Sequence, residues 1–334
     1  MTITDFYSSK TNMKAAITTK PGPPEVIQIQ NIPIPKVKEG WVLIQIKAFG
    51  LNRSEMFTRK GDSPNVNFPR VQGIECVGLV EEDPSETYER GQQVVAIMGG
   101  MGRDFDGGYA EYTLVPFHIV FAFTSALPWS TLGSLPEMFQ TVSGSLHQAL
   151  EIRNGETLLI RGGTSSIGLM ACQLANHLGL KVISTTRNPN KKEFLLKNGA
   201  SEVIIDEGQV QDKLKEIVPD GVDKVLELIG TRTLKDSLKC LKIKGTVCMT
   251  GILGNEWTMK EFTPMGDIPS LGKLTVYMGE ASNLNQKMLQ EFIDAVEQEV
   301  IKPQIDTIFK LDQIVEAHQY MEANTARGKL VVEI

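Results

Sequence analysis

No Cys-x-x-Cys pair occurs in this chain of 334 residues, so neither a zinc ribbon nor a redox dithiol is expected. The four cysteines, Cys76, Cys172, Cys240 and Cys248, are scattered, and so are His118, His147, His177 and His318. Buried, reduced thiols are the expectation for the former. There is no long basic block and the formal charge is −6, which argues against a nucleic-acid partner. The longest stretch free of Asp, Glu, Lys and Arg is 112–136. Pro116, Pro128 and Pro136 interrupt it, so it reads as strand and loop rather than a membrane span. Residues 1–10 lack a basic lead followed by an apolar run, so no secretory signal is visible and a soluble, cytoplasmic protein is expected. No internal repeat or low-complexity tract is found, and residues before Met13 read as a patternless, disordered leader.

What is present suits two domains. Hydrophobic residues make up 41% of the chain, ample for a core. Short β-branched runs at 13–18, 26–32, 41–49, 73–81, 93–97 and 109–115 are separated by Gly and Pro clusters and predict a β-rich, largely antiparallel domain. From 137 onward the rhythm changes. A helix at 137–151 should stop at Asn154-Gly155. Strands and helices of similar length then alternate to Thr250, which predicts a doubly wound parallel sheet, an α/β domain. After 284 the alternation breaks, with a helix at 287–299, a helix at 311–323 and a terminal strand at 329–334. The expected division is 1–128 with 284–334 for the β-rich domain, and 129–283 for the α/β domain.

The most informative stretch is Thr157-Leu158-Leu159-Ile160-Arg161-Gly162-Gly163-Thr164-Ser165-Ser166-Ile167-Gly168. An apolar strand enters a Gly/Ser turn, and a helix follows at once. Such a turn aims backbone N–H groups and a helix dipole at an anion, and small residues let a pyrophosphate approach. The middle position of the usual glycine pattern is Ser165, so the match rests on its strand–turn–helix setting. The next strand ends Thr185-Thr186-Arg187-Asn188, with Lys191 soon after. A carboxylate there would hold the ribose hydroxyls of NAD. Hydroxyls and cations suit a 2′-phosphate instead, so NADPH is the expected cofactor.

These motifs, together with Met13-Lys14-Ala15-Ala16, Gly50-Leu51-Asn52-Arg53-Ser54-Glu55, Gly73-Ile74-Glu75-Cys76-Val77-Gly78, Gly107-Gly108-Tyr109-Ala110-Glu111-Tyr112 and Ala326-Arg327-Gly328-Lys329-Leu330, mark a resemblance. The chain resembles the medium-chain dehydrogenase/reductase superfamily, in its zinc-independent quinone oxidoreductase branch. The resemblance implies a Rossmann-type domain beside a GroES-like catalytic domain, a small-molecule quinone or α,β-unsaturated carbonyl acceptor, and a homodimer joined along 274–278. Zinc-dependent members carry a cysteine where Asn52 stands and Gly-His-Glu where Gly73-Ile74-Glu75 stands. Neither an amide nor an isoleucine is a competent zinc ligand in such a site, so no metal is expected.

By the same resemblance Asn52 faces the nicotinamide, and its amide is a candidate hydrogen-bond donor to the reacting oxygen. Many quinone oxidoreductases have a tyrosine where this chain has Phe57, which can stack on a flat substrate but cannot donate a proton. Asn52 and Phe57 are thus the candidate catalytic residues, with Arg53, Arg59, Tyr109 and Tyr277 as possible replacement donors. Phe68 and Met101 join Phe57 as candidate pocket-lining residues. Thr141, Lys191, Thr250-Gly251-Ile252 and Val276-Tyr277-Met278 match further cofactor-contacting segments of the family. The expected activity is NADPH-dependent quinone reduction. The alternatives are reduction of the C=C bond of an enal, enone or enoyl thioester, and a low-turnover NADPH-binding sensor or scaffold.

Overall fold

The computed structural model describes residues 10–334. The chain starts with strands β1 (Asn12–Thr18), β2 (Ile27–Pro33) and β3 (Trp41–Gly50). Helix α1 (Arg53–Lys60) follows, entered through the extended backbone of Asn52 and stopped by Gly61 at φ +90°. Next come β4 (Arg70–Val71), β5 (Glu75–Glu82), β6 (Gln93–Ile97), β7 (Tyr112–Pro116) and β8 (Val120–Ala122), then helices α2 (Trp129–Gly133) and α3 (Pro136–Ser143). The helix expected over 137–151 is divided: after Ser143 it widens into a π-helical turn, Gly144–Ala149. The ring of Tyr277 lies where a side chain on residue 144 would be, and glycine leaves room for it.

Strict alternation follows, with β9 (Thr157–Arg161), α4 (Ser166–His177), β10 (Lys181–Thr186), α5 (Lys192–Lys197), β11 (Glu202–Ile205), α6 (Gln211–Ile217), β12 (Val222–Glu227), α7 (Thr231–Lys239), β13 (Leu241–Met249), α8 (Pro264–Asp267) and β14 (Lys273–Val276). Their strands form one sheet in the order β11-β10-β9-β12-β13-β14, parallel throughout. This is the doubly wound order whose switch point lies beside the first strand, here β9. Leu159, Ile183, Val225 and Val247 are fully buried in it. Burying such a side chain contributes ~1.5–3 kcal/mol, which is why these runs are apolar on both faces.

The chain closes with α9 (Gln286–Glu297), β15 (Ile305–Lys310), α10 (Ile314–Glu322) and β16 (Lys329–Glu333). These complete the first unit, which holds a three-stranded sheet β2-β1-β4 and a larger sheet β15-β16-β3-β5-β6-β8 with β7 on β3. Pairing there is antiparallel except between β15 and β16. The α/β architecture with a GroES-like β-rich unit is the one expected.

The division differs in detail from the expected boundaries. One unit takes the described residues up to Glu137 with Glu280–Glu297 and Ile305–Ile334; the other takes Met138–Gly279 and Gln298–Gln304. Residues 129–137 belong to the β-rich unit because α2 packs on β3, and the Glu137 N–H donates to Glu75 Oε2 at 2.7 Å. Residues 298–304 belong to the other because the Gln173 amide clamps Lys302, accepting from its N–H at 2.7 Å and donating to its carbonyl at 3.0 Å. The leader expected at 1–12 lies outside the described residues up to position 9, and Asn12 opens β1. All four cysteines are buried and unbridged, and burial pushes Cys76, Cys172 and Cys240 up to about 12, so they are inert thiols. Among the described residues no helix is long and apolar enough to cross a membrane.

Candidate active site

In the α/β unit the turn after β9 is built as its sequence suggests, with one refinement. Ser165 is the N-cap of α4: its Oγ accepts the Gly168 N–H at 3.1 Å, and its carbonyl accepts the Leu169 N–H at 2.9 Å. A serine in the middle of the pattern is therefore a cap. Helix geometry leaves the N–H groups of Ser166 and Ile167 without an intrahelical acceptor, at the positive end of a three-turn helix. Glycine is required at 168, where a Cβ would fall 2.5 Å from the Gly162 carbonyl, and at 163, where it would collide with Ser184 Oγ. The two glycines thus let α4 pack closely on β9 and β10.

Thr185 is buried, and its Oγ1 accepts the Gly162 N–H at 3.1 Å while its carbonyl accepts that of Gly163 at 3.1 Å. The Thr186 hydroxyl accepts the Asn188 N–H at 3.1 Å. Thr185 thus shapes the turn after β9 from within, and Thr186 the one after β10. Arg187, by contrast, is exposed, and Lys191 is half-buried. Among the described residues neither cation is in an ion pair, and no carboxylate stands at the end of β10.

Thr141 and Thr250 are joined through a residue not picked out in the sequence. Ser145 Oγ donates to the Thr141 carbonyl at 2.7 Å and lies 2.9 Å from Thr250 Oγ1. Gly251, with Thr250, donates its N–H to the Glu227 carbonyl, and Ile252 is half-buried beside it. Tyr277 is turned inward, its hydroxyl accepting from Gln140 Nε2 at 3.0 Å. Val276 and Met278 are not: their side chains are 59% and 82% exposed on the other side of the edge strand. Below the turn, the guanidinium of buried Arg161 donates to Asp206 at 2.9 and 3.2 Å and to Asp236 at 2.6 Å. Burial disfavours its charge, but Glu227, Asp206 and Asp236 hold it firmly protonated. A cation ending an otherwise apolar buried strand was the available signal for this network.

In the β-rich unit, Asn52 sits at the end of β3 inside a buried ionic cluster. Its Nδ2 donates to Glu75 Oε1 at 2.8 Å, and its Oδ1 accepts from Lys329 Nζ at 2.5 Å. Lys329 also pairs with Glu75 at 3.0 Å and Glu137 at 3.3 Å. Although burial opposes its charge, Glu75, Glu137 and Glu55 raise its pKa above the ordinary value. Beneath Asn52, the covered Glu55 accepts the Asn52 and Ile74 N–H groups at 2.6 and 2.9 Å and the Tyr109 hydroxyl at 2.9 Å. Tyr109 in turn lies 3.1 Å from His318 Nε2. Asn52-x-x-Glu55 has the spacing of a capping box, which is the signal that would have found Glu55.

Phe57 is half-buried against the hydrophobic core, with the Arg53 guanidinium 5.8 Å from its ring centre. Of the replacement donors, Tyr109 is fully buried, so its proton serves the interior. Arg59 is buried and ion-paired with Glu322. Met101 is core, not pocket lining, and Phe68 is half-buried before Pro69.

Comparison with known proteins agrees with this fold. Residues 38–125 match the family model described as alcohol dehydrogenase GroES-like domain, and residues 198–332 the one described as zinc-binding dehydrogenase. The human quinone oxidoreductase is 27% identical over 331 residues, covering 96% of this chain and 97% of that protein. The solved quinone oxidoreductase of Coxiella burnetii superposes with a TM-score of 0.82 at 27% identity, over 97% of this chain and 99% of that one. The Escherichia coli quinone oxidoreductase, solved with NADPH, shares the fold at a TM-score of 0.84 and 23% identity, over 96% and 100%. Fold and motifs together define an oxidoreductase enzyme built from a GroES-like and a Rossmann-type unit. The chain belongs to the quinone oxidoreductase branch of the medium-chain dehydrogenase/reductase superfamily.

Proposed function

We propose that this enzyme uses NADPH to reduce a quinone or a related carbonyl-conjugated acceptor, without zinc. The observation that carries the cofactor choice is the end of β10, where Arg187 and Lys191 stand without carboxylate partners among the described residues. The bound dinucleotide supplies the hydride. The Ser166 and Ile167 N–H groups at the N-terminus of α4 would hold its pyrophosphate, on a turn that Gly163 and Gly168 let pack closely against β9 and β10. Arg187 and Lys191 take the 2′-phosphate. Thr141, Ser145 and Thr250, already hydrogen-bonded to one another, order the wall toward the nicotinamide, with Gly251, Ile252 and Tyr277.

The donor set where zinc would sit does not suit the metal. Asn52 Oδ1 faces an ammonium, Ile74 is aliphatic, and Glu75 is engaged by Lys329 and Asn52. Such a site favours a cation already present in the chain over a metal ion. Asn52, its amide held by Lys329 and Glu75, is assigned the orienting of the acceptor, and Phe57 offers it a flat apolar face. We expect Asn52→Ala to lower turnover at saturating acceptor more than it weakens NADPH binding; an unchanged rate would return Asn52 to a purely structural role. The exposed β14 edge, with Val276 and Met278 beside it, is the proposed seam of a homodimer. Val276→Lys should then yield monomers in sedimentation.

A further inference from the structure

Glu55 is covered, and its oxygens meet four groups. Oε2 accepts the Asn52 backbone N–H at 2.6 Å and the Tyr109 hydroxyl at 2.9 Å; Oε1 accepts the Ile74 N–H at 2.9 Å and lies 3.5 Å from Asn52 Nδ2. Three of the four are nitrogens that only donate. The Tyr109 hydroxyl alone can reverse its direction. Its next neighbour, His318 Nε2, donates or accepts according to the ring tautomer, and among the described residues His318 Nδ1 has no hydrogen-bond partner.

We propose that Glu55 is a positioning residue acting through Asn52: as a carboxylate it anchors the Asn52 main chain, and on taking up a proton it reverses the Glu55–Tyr109–His318 chain and slackens that anchor. In the ionised arrangement His318 Nε2–H donates to Tyr109, and Tyr109 donates to Glu55. In the protonated arrangement Glu55 donates to the Tyr109 oxygen, Tyr109 donates to His318 Nε2, and the ring proton sits on Nδ1. One proton is taken from solvent overall. The orphaned Nδ1–H and the weakened Asn52 N–H bond set the cost of that second state.

The charges facing this chain fit a change of tautomer rather than of ring charge. On the Asn52 side stand Glu75 from β5, Lys329 from β16 and Glu137. On the Tyr109 side stand Arg59 from α1, with Glu322 from α10 and Glu25 near it. Burial, reinforced by Glu75 and opposed by the Ile74 and Asn52 N–H groups, pushes Glu55 up to about 7. Burial and Arg59 push His318 down to about 3, so the imidazole stays neutral while Glu55 titrates. The consequence for turnover rests on the role proposed above for Asn52; the switch itself does not.

The test is nitrogen and proton NMR on the isotopically labelled, ligand-free full chain from about pH 5 to about 8. The His318 proton should move from Nδ1 to Nε2 as pH rises, with a midpoint near the Glu55 value of about 7, and the Asn52 amide proton should shift downfield with it. In Tyr109→Phe the His318 response should vanish while the Asn52 amide still titrates. In Glu55→Gln the Asn52 amide should hold its low-pH position throughout. Acceptor turnover in the parent enzyme should rise with the same midpoint. A single His318 tautomer across the range, or an Asn52 amide that does not move, overturns the proposal; both NMR changes with turnover lacking that midpoint support the switch and overturn the role given to Asn52. Both NMR changes without turnover on any acceptor support the switch and overturn the reductase reading instead.

Discussion

Lys329 Nζ lies 2.5 Å from Asn52 Oδ1, and this contact fixes which way the Asn52 amide faces. With the oxygen on the ammonium, the nitrogen must lie toward Glu75 Oε1, 2.8 Å away. A lysine at the head of β16 thereby orients a side chain at the end of β3, and three glutamates keep that lysine charged. We expect Lys329→Met to destabilise the fold by roughly 3–5 kcal/mol, because it leaves Glu75 and Glu137 without their cation. Adding Glu75→Gln should recover part of the loss, since the two sites are directly coupled. Urea denaturation of the single and double variants checks both; additive losses would contradict the coupling.

Stability should depend on pH through two groups of opposite sign. Glu55 is raised to about 7, so between an unfolded value of roughly 4.3 and 7 the folded chain holds the extra proton. Its contribution therefore falls as pH rises through that window, by up to ~1.4 kcal/mol per pH unit. His318 is lowered to about 3, so between 3 and roughly 6.5 the unfolded chain holds more protons, and its contribution grows as pH rises. The two slopes oppose each other where the windows overlap, which leaves the parent chain nearly flat there. His318→Phe removes one slope, and its stability should fall as pH rises from about 5 to about 7. Denaturation midpoints across that range, with identical trends in parent and variant, would contradict this assignment.

Arg187→Glu should weaken NADPH by roughly tenfold to a hundredfold and NADH hardly at all, because it removes a charge-assisted partner of the 2′-phosphate and adds repulsion. Titration calorimetry with each cofactor reads this directly. Equal losses for both would place Arg187 away from the phosphate.

Much of the α/β unit was legible because several of its strands carry short apolar runs, such as Leu158–Ile160 in β9, and helices α4 and α5 stop just before Gly179 and Gly199. β9 and β6 fall where periodicity puts them, at Thr157–Arg161 and Gln93–Ile97. Helix α1 was not foreseen, being eight residues long and mostly polar, and recognisable chiefly by its Asn52 and Glu55 capping spacing. The break at Gly144 was hidden for a different reason: it depends on Tyr277, more than a hundred residues away. The same holds for the cluster around Asn52. Its members lie at 52, 55, 75, 137 and 329, and no local pattern announces that a buried lysine will join them. The glycine and serine turn could be read because its chemistry is local.

The most direct test of the account is NADPH oxidation by the purified enzyme, followed through the reduced-nicotinamide absorbance with benzoquinone, phenanthrenequinone, an alkenal and an enoyl thioester as acceptors. Each assay is repeated with NADH and after exhaustive treatment with a metal chelator. Turnover with the quinones, preference for NADPH and no loss on chelation are expected. A rate that collapses with chelator would contradict the zinc-free site, and tight NADPH binding with no turnover on any acceptor would contradict the reductase itself.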